Sequence, residues 1–315
     1  MADVNLALGT MLFGTRVDEA TSFDLLDRFV DTGGSILDTA DCYAFWVDPS
    51  RAGGQSESTI GRWLARRPSR RESVYLSTKV GAEPLPGDTW PDPREGLSAD
   101  AIERGIAGSL RRLGTDRIDL YWAHLEDRSV ALEETVEAFD RLVSDGRAIR
   151  LGVSNHPAWR VERARRIAAA QGWTPYSAMQ LSFSYAQPRP FAPVEGQEHR
   201  FGMATDEALD YATVNPEMWM WGYSPLLRGS YARPDRPFAE AYDHPGTTRR
   251  LAVLGEVAEE IEATRNQVVL AWLAGGKPAI TPIVGVSSAE QLDEAVAGVS
   301  IVLTDDQRQR LDDAA

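Results

Sequence analysis

The chain has 315 residues, 43% hydrophobic and 25% charged, enough to bury a sizeable core in one large domain or two small ones. A net charge of −14 and a pI near 4.8 repel phosphate backbones and anionic bilayers, which argues against nucleic-acid and membrane partners but leaves room for a local basic pocket. Cys42 is the only cysteine, which excludes an intramolecular disulfide and a thiolate metal cluster; with no basic leader and no apolar run near the roughly 18 residues of a spanning helix, a cytoplasmic protein is expected.

The first apolar run, residues 6–8, leads into Gly9, Thr10 and Met11. The second, 35–38, delivers Asp38, and Tyr43 follows five residues later. Residues 74–78 precede Lys79, after which 83–96 is irregular with Trp90 at its centre. Ser98 is a plausible N-cap for a helix carrying Ile102, Ile106, Leu110 and Leu113 at helical spacing. The run 118–123 ends at His124, and Leu132, Val136, Phe139 and Val143 mark another helix, closed by the turn signal Asp145-Gly146. Residues 149–153 then reach Ser154 and Asn155. A helix over 159–170, a run over 177–181, a helix near Asp206, a run over 218–221, a helix over 251–263 and a run over 279–284 complete the pattern. Two proline-bearing irregular stretches, 187–200 and 228–247, read as lids or binding loops.

Eight strand-like runs separated by helices predict an α/β fold with a parallel sheet, closed as a (β/α)8 TIM barrel, forming a single domain over 1–315 with extended βα loops at its C-terminal face. A doubly wound sheet is the competitor. No run is followed by GxGxxG or GxxxxGK[ST], and the turn at Gly275-Gly276-Lys277 lacks the upstream glycine of a P-loop.

Several of these runs end on polar side chains, as expected of one active site assembled from many strand ends. Tyrosine, with a reference pKa of about 10, is a poor acid near neutrality unless its phenolate is stabilised. Lys79 can supply the charge, Asp38 can hold Lys79 in place, and His124 can donate to a substrate carbonyl oxygen. Taken singly, Asp38 reads as a loop cap, Lys79 as a solvated cation, His124 as an edge histidine and Tyr43 as packing. Their combination at successive strand ends carries the functional reading.

The sequence resembles the aldo-keto reductase family. The matching residues are Gly9-Thr10-Met11 with Phe13-Gly14; Asp38-Thr39-Ala40 then Tyr43; Ser56-Glu57; Ser77-Thr78-Lys79-Val80-Gly81; Asp119 to His124; Gly152-Val153-Ser154-Asn155; Gln180; Tyr223-Ser224-Pro225-Leu226; and Gly285 with Gln291. The resemblance implies carbonyl reduction with a nicotinamide dinucleotide, catalysed by Asp38, Tyr43, Lys79 and His124. It implies Thr10 and Met11 beside the cofactor, Ser154, Asn155 and Gln180 on the carboxamide, Tyr223 stacked on the ring, and Ser224, Pro225, Leu226 and Gly229 along the pyrophosphate. Gly285 and Ser287 open a helix whose N-terminus suits phosphate, and Gln291 and Glu294 face the adenosine end. Many members carry a cation after that glycine for a 2′-phosphate, where this chain has Val286-Ser287-Ser288. NADP(H) is the favoured cofactor and NAD(H) the alternative.

Trp46 and Trp90 read either as an aromatic wall for substrate or as loop packing, and Cys42 as packing more than redox. The irregular stretch 187–200, with the tryptophans, is compatible with a sugar-like ligand. His156, His199 and His244 have no metal-binding spacing, so no metal is expected. Two rival readings are a redox-sensing regulatory protein resembling the potassium-channel β subunits and a metal-dependent barrel hydrolase.

Overall fold

A computed structural model describes residues 4–85, 93–194 and 199–314. Eight strands form it: β1 (Ala7–Gly9), β2 (Ile36–Asp38), β3 (Tyr75–Val80), β4 (Ile118–Ala123), β5 (Ala148–Ser154), β6 (Ala178–Ser182), β7 (Trp219–Tyr223) and β8 (Ile280–Gly285). Each pairs in parallel with its sequence neighbour, and β8 pairs back onto β1 to close the barrel. Around it run the helices α1 (Glu19–Asp31), α2 (Gln55–Arg66), α3 (Ala99–Leu113), α4 (Leu132–Ser144), α5 (Ala158–Gln171), α6 (Asp206–Val214), α7 (Pro245–Glu260), α8 (Arg265–Ala274), α9 (Ala289–Ser300) and α10 (Asp305–Asp313). The predicted eight-unit barrel is therefore the fold. Among the described residues, no helix is long and apolar enough to cross a membrane.

Among the described residues, six of the ten α-helices begin where a side chain satisfies an orphan backbone N–H. Asp18, Ser98, Thr205, Thr264, Ser288 and Thr304 each accept from the residue three places on. Three expectations shift. β3 runs through Lys79 to Val80, so Lys79 lies inside the strand. The helix expected over 251–263 begins at Pro245, whose ring is pre-set for the first helical turn, and stops at Glu260. The stretch 228–247 is accordingly partly helical, with a short turn at Glu240–Tyr242.

The alternation of strand side chains positions the site. Ala7, Ile36, Leu120, Trp122, Ala178, Trp221 and Ile283 form a buried cluster, with Tyr75, Trp219 and Tyr223 against it, separate from the larger layer between strands and helices. These residues fill the barrel interior. At Gly152 an added Cβ would stand 2.3 Å from the Trp122 ring, so this β5 position also faces inward and only glycine fits. Counting on in twos, the inward positions toward the C-terminal rim include Asp38, Lys79, His124, Ser154, Gln180, Tyr223 and Gly285. Thr78 has the opposite parity; it donates to Glu57 of α2 at 2.6 Å, and Arg112 of α3 holds the same carboxylate at 2.6 Å. That contact fastens β3 to two helices while Lys79 faces the interior.

Candidate active site

Register places Asp38 opposite Ser77, two residues before Lys79. Lys79 Nζ donates to Asp38 Oδ2 at 2.6 Å, to the Thr39 carbonyl at 2.7 Å and to the Tyr43 hydroxyl at 3.3 Å. The other Asp38 oxygen accepts from Ser77 at 3.0 Å and from Gln180 at 3.3 Å. Lys79 is wholly buried, and a charge removed from water this completely persists only when paired and hydrogen-bonded, as it is here. The His124 ring meets the Tyr43 ring edge-on, with centroids 5.9 Å apart. The structure thus brings Asp38, Tyr43, Lys79 and His124 into one cluster.

Burial drives the Tyr43 phenol well above its usual value, with the Asp38 charge next in size. The expected lowering by Lys79 is outweighed, and Tyr43 stands as a protonated donor near neutrality. Burial and the neighbouring Lys79 and Arg94 cations push His124 well below the ordinary imidazole range, so its ring is neutral. A lysine amine, a protonated phenol and a neutral imidazole stand side by side. Such a set can orient a carbonyl oxygen and deliver a proton to it.

Asn155 connects this cluster to the β7 side. Its amide donates to the His124 carbonyl at 2.9 Å and to Ser154 Oγ at 3.0 Å, and its Oδ1 accepts from the Tyr223 hydroxyl at 2.9 Å. The residue adopts a left-handed φ of 58°, which asparagine tolerates better than most side chains. Thr10 is buried and hydrogen-bonded to the Asp38 carbonyl at 2.8 Å and to Ser56 at 2.9 Å, while Met11 beside it is exposed.

After β7, the chain through Ser224, Pro225, Leu226 and Gly229 makes tight turns with positive φ at Ser224 and Gly229. Ser184 holds the loop by donating to the Pro225 carbonyl at 2.5 Å. At β8, a Cβ on Gly285 would meet only the Gly9 carbonyl, at 3.7 Å, so the backbone is open there. Ser288 caps α9, and the Ser287 N–H donates to Gln291 Oε1 at 2.8 Å. Glu294 accepts instead from Thr264 at 2.6 Å and Asn266 at 3.2 Å, fastening α9 to α8.

Trp46 stands beside Tyr43, centroids 6.1 Å apart and edge-on, and is 44% exposed. Trp90 lies outside the described residues. Two features escaped the sequence reading. Cys42 packs among Ala40, Phe45, Ala82 and Leu125 as expected, yet its Sγ lies 3.6 Å from His124 Nδ1. Asp41, Cys42 and His124 also bring one ligand atom each within 4.8 Å of one another. Burial pushes both the thiol and the Asp41 carboxyl well above their usual values, which favours protonated forms that bind metal poorly. His156 is separate, buried with Nδ1 2.7 Å from the Ser154 carbonyl.

Comparison with known proteins agrees with the barrel fold. The profile of the aldo/keto reductase family matches residues 5–315. Norsolorinic acid reductase A of Aspergillus parasiticus is 30% identical, covering 98% of this chain and 77% of its own. The uncharacterized oxidoreductase YrpG of Bacillus subtilis is also 30% identical, covering 98% and 91%. An aryl-alcohol dehydrogenase of Pestalotiopsis microspora is 29% identical, covering 98% and 77%. Among solved structures, a thermostable aldo-keto reductase in complex with the inhibitor epalrestat superposes with a TM-score of 0.74 at 25% identity, covering 99% of this chain and 95% of that one.

Proposed function

The chain belongs to the aldo/keto reductase family, and we propose that it reduces an aromatic aldehyde or ketone to the alcohol with NADP(H), Tyr43 serving as the proton donor. The observation that carries this reading is the Lys79 ammonium held between Asp38 at 2.6 Å and Tyr43 at 3.3 Å, beside a neutral His124. The rim fits a nicotinamide dinucleotide. Ser154 and Gln180 face inward on neighbouring strands and offer the hydroxyl and amide that a carboxamide pairs with. Tyr223 presents an aromatic ring, and the open backbone at Gly285 with Ser287 at the α9 N-terminus suits a phosphate.

Bound there, the nicotinamide supplies hydride to the carbonyl carbon. His124 donates an N–H to the carbonyl oxygen and fixes its position. Tyr43 gives that oxygen its proton, and Lys79 stabilises the phenolate left behind. Asp38 pairs with Lys79 and holds it aimed at the phenol. Asn155 holds the His124 backbone while its Oδ1 engages Tyr223, so the ring that orients the substrate and the ring offered to the cofactor share one support. The aromatic preference is supported by the exposed Trp46 beside Tyr43 and by the names of two relatives, a norsolorinic acid reductase and an aryl-alcohol dehydrogenase.

The test is fluorescence titration with NADPH and with NADH, followed by loss of nicotinamide absorbance with a panel of aryl aldehydes, aryl ketones and aldoses. Saturable binding, tighter for NADPH, with turnover of an aryl carbonyl supports the reading. Tight binding without turnover of any carbonyl favours a regulatory protein. Turnover of aldoses alone moves the substrate to the sugar class.

A further inference from the structure

The Cys42 thiol is a buried group without a part in the mechanism above. We propose that Cys42 is a positioning residue: its S–H donates to Nδ1 of His124 and thereby fixes the tautomer that carries its proton on Nε2, the nitrogen left to face the substrate. The inference rests on the carbonyl-reductase reading, and it deepens it by assigning a determinant of the His124 orientation.

The backbone of His124 is pinned on both sides. Its N–H donates to the Val80 carbonyl at 2.9 Å, and its carbonyl accepts from Asn155 at 2.9 Å. What remains free is the torsion and tautomer of the ring. Among the described residues the ring makes one hydrogen bond, the 3.6 Å contact between Nδ1 and Cys42 Sγ. A neutral imidazole has one donor and one acceptor nitrogen, so the partner of Nδ1 decides the role of Nε2. If Nδ1 donated to sulfur, Nε2 would turn a lone pair toward a carbonyl oxygen, and the two would repel. If the thiol donates, Nε2–H is the donor that carbonyl reduction requires.

The surroundings favour a neutral thiol over a thiolate–imidazolium pair. Cys42 is 2% exposed among Ala40, Phe45, Ala82 and Leu125, and this burial, with the acidic groups around it, opposes a thiolate there. Lys79 opposes a positive charge on His124. Cys42 and Tyr43 are consecutive, so one turn after β2 delivers both the proton donor and the group that sets its neighbour's tautomer.

The decisive reading is the long-range 15N–1H correlation spectrum of the full chain labelled on histidine, which has four histidines. A His124→Gln variant identifies the signal. The expected result is a pyrrole-type Nε2 and a pyridine-type Nδ1; a protonated Nδ1, as the other tautomer or as imidazolium, overturns the proposal whether or not the protein turns over a carbonyl. In Cys42→Val, which stays apolar and loses the donor, the tautomers should mix and kcat should fall about five-fold, the scale of one weak neutral hydrogen bond, with cofactor affinity unchanged. Cys42→Ser, which retains a donor, should recover most of that loss. An unmixed Nε2–H signal with undiminished kcat in Cys42→Val would show that the thiol only fills space. If no carbonyl is reduced at all, the proposed function fails while the spectrum still decides the hydrogen bond.

Discussion

The two ends of the barrel handle buried charge in opposite ways. At the N-terminal end a cavity of about 270 Å³ is lined by Arg71, Tyr75 and Asp119 among others. There the Arg71 guanidinium meets Asp119 at 3.0 Å and also donates to Thr115 at 3.0 Å and the Arg117 carbonyl at 2.9 Å, while Asp119 accepts the Leu76 N–H at 2.7 Å. Charge is matched one to one. Toward the C-terminal end Asp41, Glu57 and Glu83 crowd around Arg112, with Glu95 beside Asp41, and Asp41 Oδ1 and Glu83 Oε2 have no hydrogen-bond partner among the described residues. Closed ion pairs stabilise a fold and leave nothing to offer a ligand, whereas unmatched groups beside a reactive cluster are the mark of a working end.

Removing one partner from the reactive end should have the largest effect. Lys79→Met leaves the Asp38 carboxylate buried and unpaired, so we expect a loss of about 3 kcal/mol or more in denaturant unfolding together with a loss of turnover of roughly 100-fold or more. The matching change at the opposite end separates the two roles. Arg71→Met strands Asp119 and should cost about 3 kcal/mol of stability with kcat unchanged; a comparable fall in kcat would mean the two ends are coupled. On the cofactor side, Gln291→Ala removes the side chain expected at the adenosine end and the anchor that fixes the Ser287 loop, and the NADPH dissociation constant should rise about five-fold while kcat holds.

The smallest effect concerns pH. Burial pushes the Glu83 carboxyl up to about 7. Between an unfolded value of about 4.5 and that folded value, the native state binds more protons than the unfolded chain, so stability falls as pH rises across this window. The Tm should drop modestly from pH 5 to pH 8, because the group is partly solvated. Glu83→Gln, which keeps the acceptor for the Gly53 N–H, should flatten that slope. An unchanged slope would place the titration elsewhere in the acidic group.

The same contrast governs what could be read from the chain. Asp38, Lys79 and His124 were legible because each ends or follows a short apolar run, a pattern local in the sequence, and each sits at an inward position near a strand end. Some boundaries were misplaced, as where β3 continues through Lys79 and α7 starts at Pro245, and the helices α8 and α10 were not anticipated. The Cys42–His124 contact was not legible, because it depends on how the turn after β2 bends toward the end of β4. Asn155 matched the pattern, but its bond to the His124 carbonyl depends on a positive φ that no periodicity encodes. Glu57 likewise fitted a motif while its partners, Thr78 and Arg112, come from different elements.

The central claim is that Tyr43 supplies the proton and takes little part in holding the cofactor. The most direct measurement compares wild type and Tyr43→Phe for NADPH affinity by fluorescence and for single-turnover oxidation of bound NADPH by an aryl carbonyl. We predict affinity within about two-fold of wild type and oxidation slowed by roughly 100-fold or more, since the ring remains and only the hydroxyl is lost. Wild-type oxidation by the Tyr43→Phe protein would contradict the account.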